Sequence, residues 1–190
     1  MRLVTLFLCL ILVSIFDIEA QVISLDSQNT NHFTITKNEQ KRFSFVNSIV
    51  NIDSRIVKTN SGDFVKLIVP SYTYMATALG VLNAGAIPVM ADVDESLTLC
   101  PVDLERRITK YTRAVIPVHM VGLPCNMREI MKIARRNNLL VLEDACQAVG
   151  GGYRGRKLGS IGHAGAFSFN FFKNISCGEG GAFAVKTKKV

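Results

Sequence analysis

Apolar and polar residues follow two different regimes along this chain, and the boundary lies near Phe64. Beyond it, short apolar runs alternate with amphipathic stretches. VKLIV (65–69) ends at Pro70 and predicts a buried strand. TYMATALGVLNAG (73–85) predicts a helix stopped by Gly85, and IPVMADV (87–93) a strand. PVDLERRITKY (101–111) carries acids early and bases late, as the helix dipole favours. AVIPVHM (114–120) predicts a strand interrupted by Pro117. In NMREIMKIARRNN (126–138), Met127, Ile130, Met131 and Ala134 share one helical face, with Asn126 as the cap. LLVLED (139–144), AGAFSFN (164–170) and GAFAVK (181–186) complete the set of strands. Strands and helices alternating at these lengths predict an α/β fold, a mostly parallel sheet flanked by helices. Sheets of that kind bind ligands at the carboxyl ends of their strands, where Asp144 and His119 fall.

Residues 21–61 are polar and irregular by comparison, with strand-like alternation only in HFTIT and RFSFV. Residues 1–20 differ again. Arg2, an apolar run and the small residue Ala20 have the form of a secretory signal peptide, and the run is short for a membrane span. The expected organisation is therefore a signal-like segment (1–20), an unassigned stretch (21–61) and an α/β unit (62–190). The 48% hydrophobic content supports a packed core. The formal charge of +7 is scattered as pairs such as Arg135 and Arg136, which does not make a nucleic-acid arm. Removing residues 1–20 leaves Cys100, Cys125, Cys146 and Cys177, a set that permits disulfides and lacks zinc spacing.

The stretch AFSFNFFKNISCGEGG (166–181) places one lysine, Lys173, behind four phenylalanines. It reads either as a surface lysine whose stem covers apolar side chains, or as an amine kept neutral to attack a carbonyl. The acid pair of EDACQ (143–147) bears on the choice. A pyridoxal phosphate site needs a nucleophilic lysine and a carboxylate for the ring nitrogen, and Lys173 with Asp144 would supply both. Ser168 and Ser176 flank the lysine and could donate hydroxyls to a phosphate. Ser168 shares a strand face with Ala166 and Asn170, opposite Phe167 and Phe169. The glycines at 150–152 and 178–181 suit tight turns and make no dinucleotide fingerprint. His119 reads as structural. Tyr74 fits either a core or a ring-stacking role. Cys146 and Cys177 read as small core residues.

Taken in order, PSYTYMATALGVLNAGAIPVMADVD, AVIPVHMVGLPCNM, EDACQAVGGGYRGRKLGSIGHAGAFSFN and FFKNISCGEGGAFAV resemble the DegT-like sugar aminotransferases over roughly residues 62–187. These are pyridoxal-phosphate enzymes of the aspartate aminotransferase architecture, fold type I. The resemblance implies that Lys173 forms the Schiff base and shuttles protons. Asp144 would pair with the pyridinium nitrogen, and Gln147 would lie near the phenolic oxygen. Ser168 would bind the phosphate and Tyr74 would pack on the ring. The implied reaction moves an amino group, usually from glutamate, to a keto sugar carried on a nucleotide. A homodimer is implied as well. A cytoplasmic setting is also implied, at odds with the signal-like start.

The chain departs from the family pattern in places. Where relatives carry a Gly-Thr phosphate turn, this sequence has NIDSRIVKTN. The family continues beyond the segment that matches, so the expectation is an incomplete large domain. The rival reading is a non-catalytic remnant, a cofactor-binding or interaction module of the same fold.

Overall fold

The computed structural model describes residues 21–25, 33–36 and 65–185. The signal-like segment, RFSFV and NIDSRIVKTN lie outside these residues. The described elements in chain order are β1 (Gln21–Leu25), β2 (Phe33–Thr36), β3 (Lys66–Pro70), α1 (Ala76–Asn83), β4 (Ile87–Ala91), α2 (Pro101–Arg107) and β5 (Thr112–Val115). A 3-10 turn follows (Met120–Gly122), then α3 (Met127–Arg136), β6 (Leu140–Asp144), β7 (Gly152–Tyr153), β8 (Arg156–Lys157), β9 (Ala164–Ser168) and β10 (Gly181–Val185).

Eight strands form one sheet in the order β2-β1-β10-β9-β6-β5-β3-β4, and β7 with β8 makes a separate hairpin. Strands β4, β3, β5, β6 and β9 run parallel, while β10 is antiparallel to β9. Phe33–Thr36 of HFTIT form β2, and its partner β1 lies in a stretch whose polar character did not announce a strand. Strands β3, β6 and β9 are buried on both faces, as their near-continuous apolar runs require, while the edge strand β4 leaves Ile87 and Met90 exposed. Ile68, Val115 and Val141 face one core with Leu104, Met127, Ile130, Ile133 and Ala134 from α2 and α3. Their strand neighbours Leu67, Val69, Ala114, Ile116 and Leu142 face the other, with Val81 of α1. Period-two alternation thus divides each run between two cores.

The helices show why the sequence stops and starts where it does. In α3, Asn126 Oδ1 accepts from the Glu129 N–H at 3.4 Å, and Arg135 and Arg136 occupy the last turn. Met127, Ile130, Ile133 and Ala134 are buried, with Met131 half-buried beside them. Each large side chain contributes about 1.5–3 kcal/mol by leaving water. The α1 helix begins at Ala76, three residues later than its pattern predicts, because Ser71–Thr73 form bends. The α2 helix ends at Arg107, since Ile108 turns extended and packs against the core. Strand β5 ends at Val115, short of the predicted Met120. Pro117 has no N–H to donate, and the ladder survives there as a single bridge between Val118 and Asp144.

Candidate active site

The carboxyl ends of β5, β6 and β9 lie side by side, and three segments meet there. Asp144 is the last residue of β6, and its Cα pairs with that of Ala166 on β9. Ser168 lies two residues beyond Ala166, on the same face of β9. The Asp144 N–H donates to the Pro117 carbonyl at 2.9 Å, and the His119 N–H donates back to the Asp144 carbonyl at 3.0 Å. These backbone bonds fix the Asp144 main chain between two neighbours.

Two adjacent carboxylates meet opposite fates in this setting. Glu143 is fully buried and fully engaged. Its Oε2 accepts from His119 Nε2 and the Gly159 N–H, each at 2.9 Å. Its Oε1 accepts from the Ile161 and Gly162 N–H groups, each at 2.6 Å. Because His119 Nδ1 accepts from the Cys125 N–H at 3.2 Å, the ring proton sits on Nε2 and points at Glu143. Burial pushes the Glu143 carboxyl up, yet the bonds from His119, Gly162 and Gly159 outweigh it and hold the group below the usual carboxylate range.

Asp144 is only 6% exposed. Its Oδ2 accepts from the Thr77 hydroxyl at 2.8 Å, and its Oδ1 accepts from the Cys146 N–H at 3.1 Å. No cation among the described residues pairs with it. A carboxylate offers about four lone-pair sites, so the Thr77 hydroxyl, the Cys146 N–H and the weak Cys146 thiol leave Asp144 with acceptor capacity to spare. Buried charges are ordinarily paired, so this carboxylate is suited to a cationic nitrogen brought by a ligand.

Ser168 is buried, and its Oγ accepts from the Asn170 N–H at 3.4 Å. Gln147 reaches back to the 3-10 turn, its Oε1 accepting from the Val121 N–H at 3.2 Å. Val121 needs that support, since it holds a left-handed backbone at φ 52°. Tyr74 lies just ahead of α1 and is 59% exposed. Lys173 stands on the loop between β9 and β10, its N–H donating to the Asn170 carbonyl at 2.9 Å. Asn174 Nδ2 ties that loop to the segment after Asp144 by donating to the Val149 carbonyl at 3.2 Å. Burial pushes the Cys146 thiol well above the usual thiol range, the Asp144 charge adds to this, and the Lys173 charge opposes it. Lys173 therefore acts electrostatically on the residue two positions past Asp144.

The structure bears on the two readings left open for Lys173 and corrects the core reading of Cys177. Lys173 is half-exposed, and the phenylalanines before it do not enclose it: Phe171 and Phe172 are 71% and 89% exposed and meet edge to face. Cys177 is exposed, not core, with its Sγ directed at the Glu179 carbonyl. The four described cysteines are free. Sequence reasoning did not find Thr77 or the partners of Glu143. The available signal for Thr77 was its spacing of four from Thr73, which puts both on one helical face.

Residues 51–190 match the model of the DegT/DnrJ/EryC1/StrS aminotransferase family. The chain belongs to that family. It is 47% identical over 127 residues to the GDP-perosamine synthase of Caulobacter vibrioides, covering 66% of this chain and 34% of that one. Among solved structures it resembles DesV of S. venezuelae, crystallised with a ketimine intermediate. That match has TM-score 0.62 and 44% identity, over 64% of this chain and 33% of DesV. The PLP form of Spr1654 from Streptococcus pneumoniae superposes with TM-score 0.63 at 28% identity, over 65% of this chain and 36% of that one. The chain thus spans about a third of the length of such relatives. The sheet and its flanking helices are those of the fold-type I aminotransferases.

Proposed function

We propose that this chain carries the cofactor-binding part of a pyridoxal-phosphate-dependent sugar aminotransferase. In this reading an amino group passes from an amino acid, glutamate in the first instance, to a keto sugar carried on a nucleotide. The observation that carries the reading is the Asp144 carboxylate, buried at a strand end with acceptor capacity left and paired with no cation among the described residues. Its relatives, a GDP-perosamine synthase and a UDP-N-acetyl-3-dehydro-alpha-D-glucosamine 3-aminotransferase, support the substrate class.

When bound, the cofactor supplies an electron-withdrawing pyridine ring. The residues present fit it. Asp144 would hold the proton on the ring nitrogen. The Ser168 hydroxyl, at the end of β9, would donate to the phosphate, whose negative charge needs such donors. Gln147 would turn an amide donor toward the phenolic oxygen, and Tyr74 would cover a ring face. Lys173 would be the nucleophilic amine, and later the group that takes and returns a proton at the substrate carbon. Its loop position gives the side chain the freedom that two such tasks require. The reading extends to a homodimer, an expectation carried by the resemblance, whose partner would cover the exposed Phe171 and Phe172.

An absorbance titration of the purified chain with pyridoxal phosphate, beside Lys173→Ala, tests this directly. The expected result is a visible band that requires Lys173 and bleaches with glutamate. A folded chain with no lysine-dependent band would overturn the reading.

A further inference from the structure

Thr77 occupies the first turn of α1, and its side chain does something unusual for a helical threonine. Such hydroxyls commonly bond back to the carbonyl four residues earlier. Here the hydroxyl donates across 67 positions of sequence to Asp144 Oδ2, at 2.8 Å, in a buried setting. Thr73 Oγ1 lies 3.1 Å from Thr77 Oγ1. A threonine has one hydroxyl hydrogen, and that of Thr77 goes to Asp144. The second bond must then run from Thr73 to Thr77. The direction of the chain is fixed: Thr73 to Thr77 to Asp144.

We infer that Thr77 is a positioning residue, holding the Asp144 carboxylate in the one rotation that leaves its free lone pairs facing a ligand's ring nitrogen. The inference rests on the functional reading above for the identity of that ligand, and on geometry alone for the constraint. A carboxylate at a strand end has free rotation about χ2 unless both oxygens are tied, since that torsion is broad. The Cys146 N–H ties one oxygen through the main chain, which no side-chain substitution alters. The neighbouring Cys146 thiol is a weak donor. The Thr77 hydroxyl ties the second oxygen, and does so from a different element, so that α1 and β6 together set the angle. Thr77 is 1% exposed, so water cannot replace the hydroxyl without a rearrangement of α1. The bond from Thr73 engages the Thr77 oxygen and keeps its hydrogen aimed at Asp144.

The test uses the full chain with Thr77→Val, which keeps the shape and removes the hydroxyl, and Thr77→Ser, which keeps the hydroxyl. Circular dichroism checks that each variant is folded. Two readouts are taken. In the pyridoxal phosphate titration, Thr77→Val should bind about tenfold more weakly, the order expected for one hydrogen bond to a charged group, and its band should be displaced. Thr77→Ser should return both to within about twofold of the parent. In the same chain without cofactor, labelled with carbon-13 aspartate, the Asp144 carboxyl resonance should move in Thr77→Val and return in Thr77→Ser. Asp144→Asn identifies that resonance. A parent chain without a lysine-dependent band would sink the functional reading, while the carbon resonance still tests Thr77 in that sample. An unmoved resonance in Thr77→Val, or parental affinity and band in a chain that does bind cofactor, would overturn the inference.

Discussion

Replacing Glu143 with glutamine is nearly isosteric, and the structure predicts that it is costly. The carboxylate accepts four hydrogen bonds: from His119 Nε2 and from the N–H groups of Gly159, Ile161 and Gly162. A glutamine offers one oxygen and puts two N–H donors where the other oxygen stood. If its oxygen keeps Ile161 and Gly162, the amide nitrogen faces the Gly159 N–H, donor against donor. His119 could accept from it only by moving its proton to Nδ1, which would then confront the Cys125 N–H. Two buried donors are orphaned in either arrangement. At about 1–3 kcal/mol each, with the lost charge added, the cost should be about 3–5 kcal/mol. Domain stability as a whole is on the order of 5–15 kcal/mol.

The pH dependence gives that prediction a sign. The Glu143 carboxyl is held below the usual range in the fold. Its contribution is therefore complete above the unfolded value of about 4.3 and is lost as pH falls through the lower folded value. Glutamine does not titrate. Urea unfolding of parent and Glu143→Gln, followed by circular dichroism, should show the full gap at pH 7 and a narrowing gap in acid. A cost under about 1 kcal/mol at pH 7, or a gap that widens as pH falls, would refute the reasoning.

Other expectations follow from single contacts. A Cβ added at Gly165 would run into the Gly159 backbone, so Gly165→Ala should cost about 3 kcal/mol or more, read as a lowered thermal midpoint. Asn126→Ala should remove the α3 cap for about 0.5–1 kcal/mol, at the modest end because the bond is long at 3.4 Å. Burial pushes the Cys125 thiol up to about 12, so iodoacetamide at neutral pH should modify the exposed Cys177 first and leave Cys125 intact until the chain unfolds. Mass spectrometry of timed samples would decide that order, and early modification of Cys125 would contradict the described packing.

Periodicity alone determined much of this protein. Apolar runs at 65–69, 114–116 and 139–142 were legible as strands, the first as a buried one, because short apolar runs bounded by breakers suit a sheet packed on both faces. The α3 face and its Asn126 cap were equally legible, since both are local patterns of side-chain spacing. The order of motifs located Asp144, Ser168 and Lys173 as candidate site residues, and strand pairing put the first two on neighbouring strand ends. The resemblance singled out Asp144, and only tertiary structure supplied the physical reason that separates it from Glu143. The two acids are adjacent in sequence and alike in chemistry. Because successive strand residues point to opposite faces, one meets His119 and three N–H donors from the Gly159–Gly162 loop, while the other meets Thr77 of α1. Those partners lie between 16 and 67 residues away, and no local signal records a contact over that distance. The openness of the loop carrying Lys173 was also a tertiary outcome. Four phenylalanines ahead of a lysine are compatible in sequence with a surface amine or an enclosed one, and the turn between β9 and β10 decides it by leaving Phe171 and Phe172 facing outward.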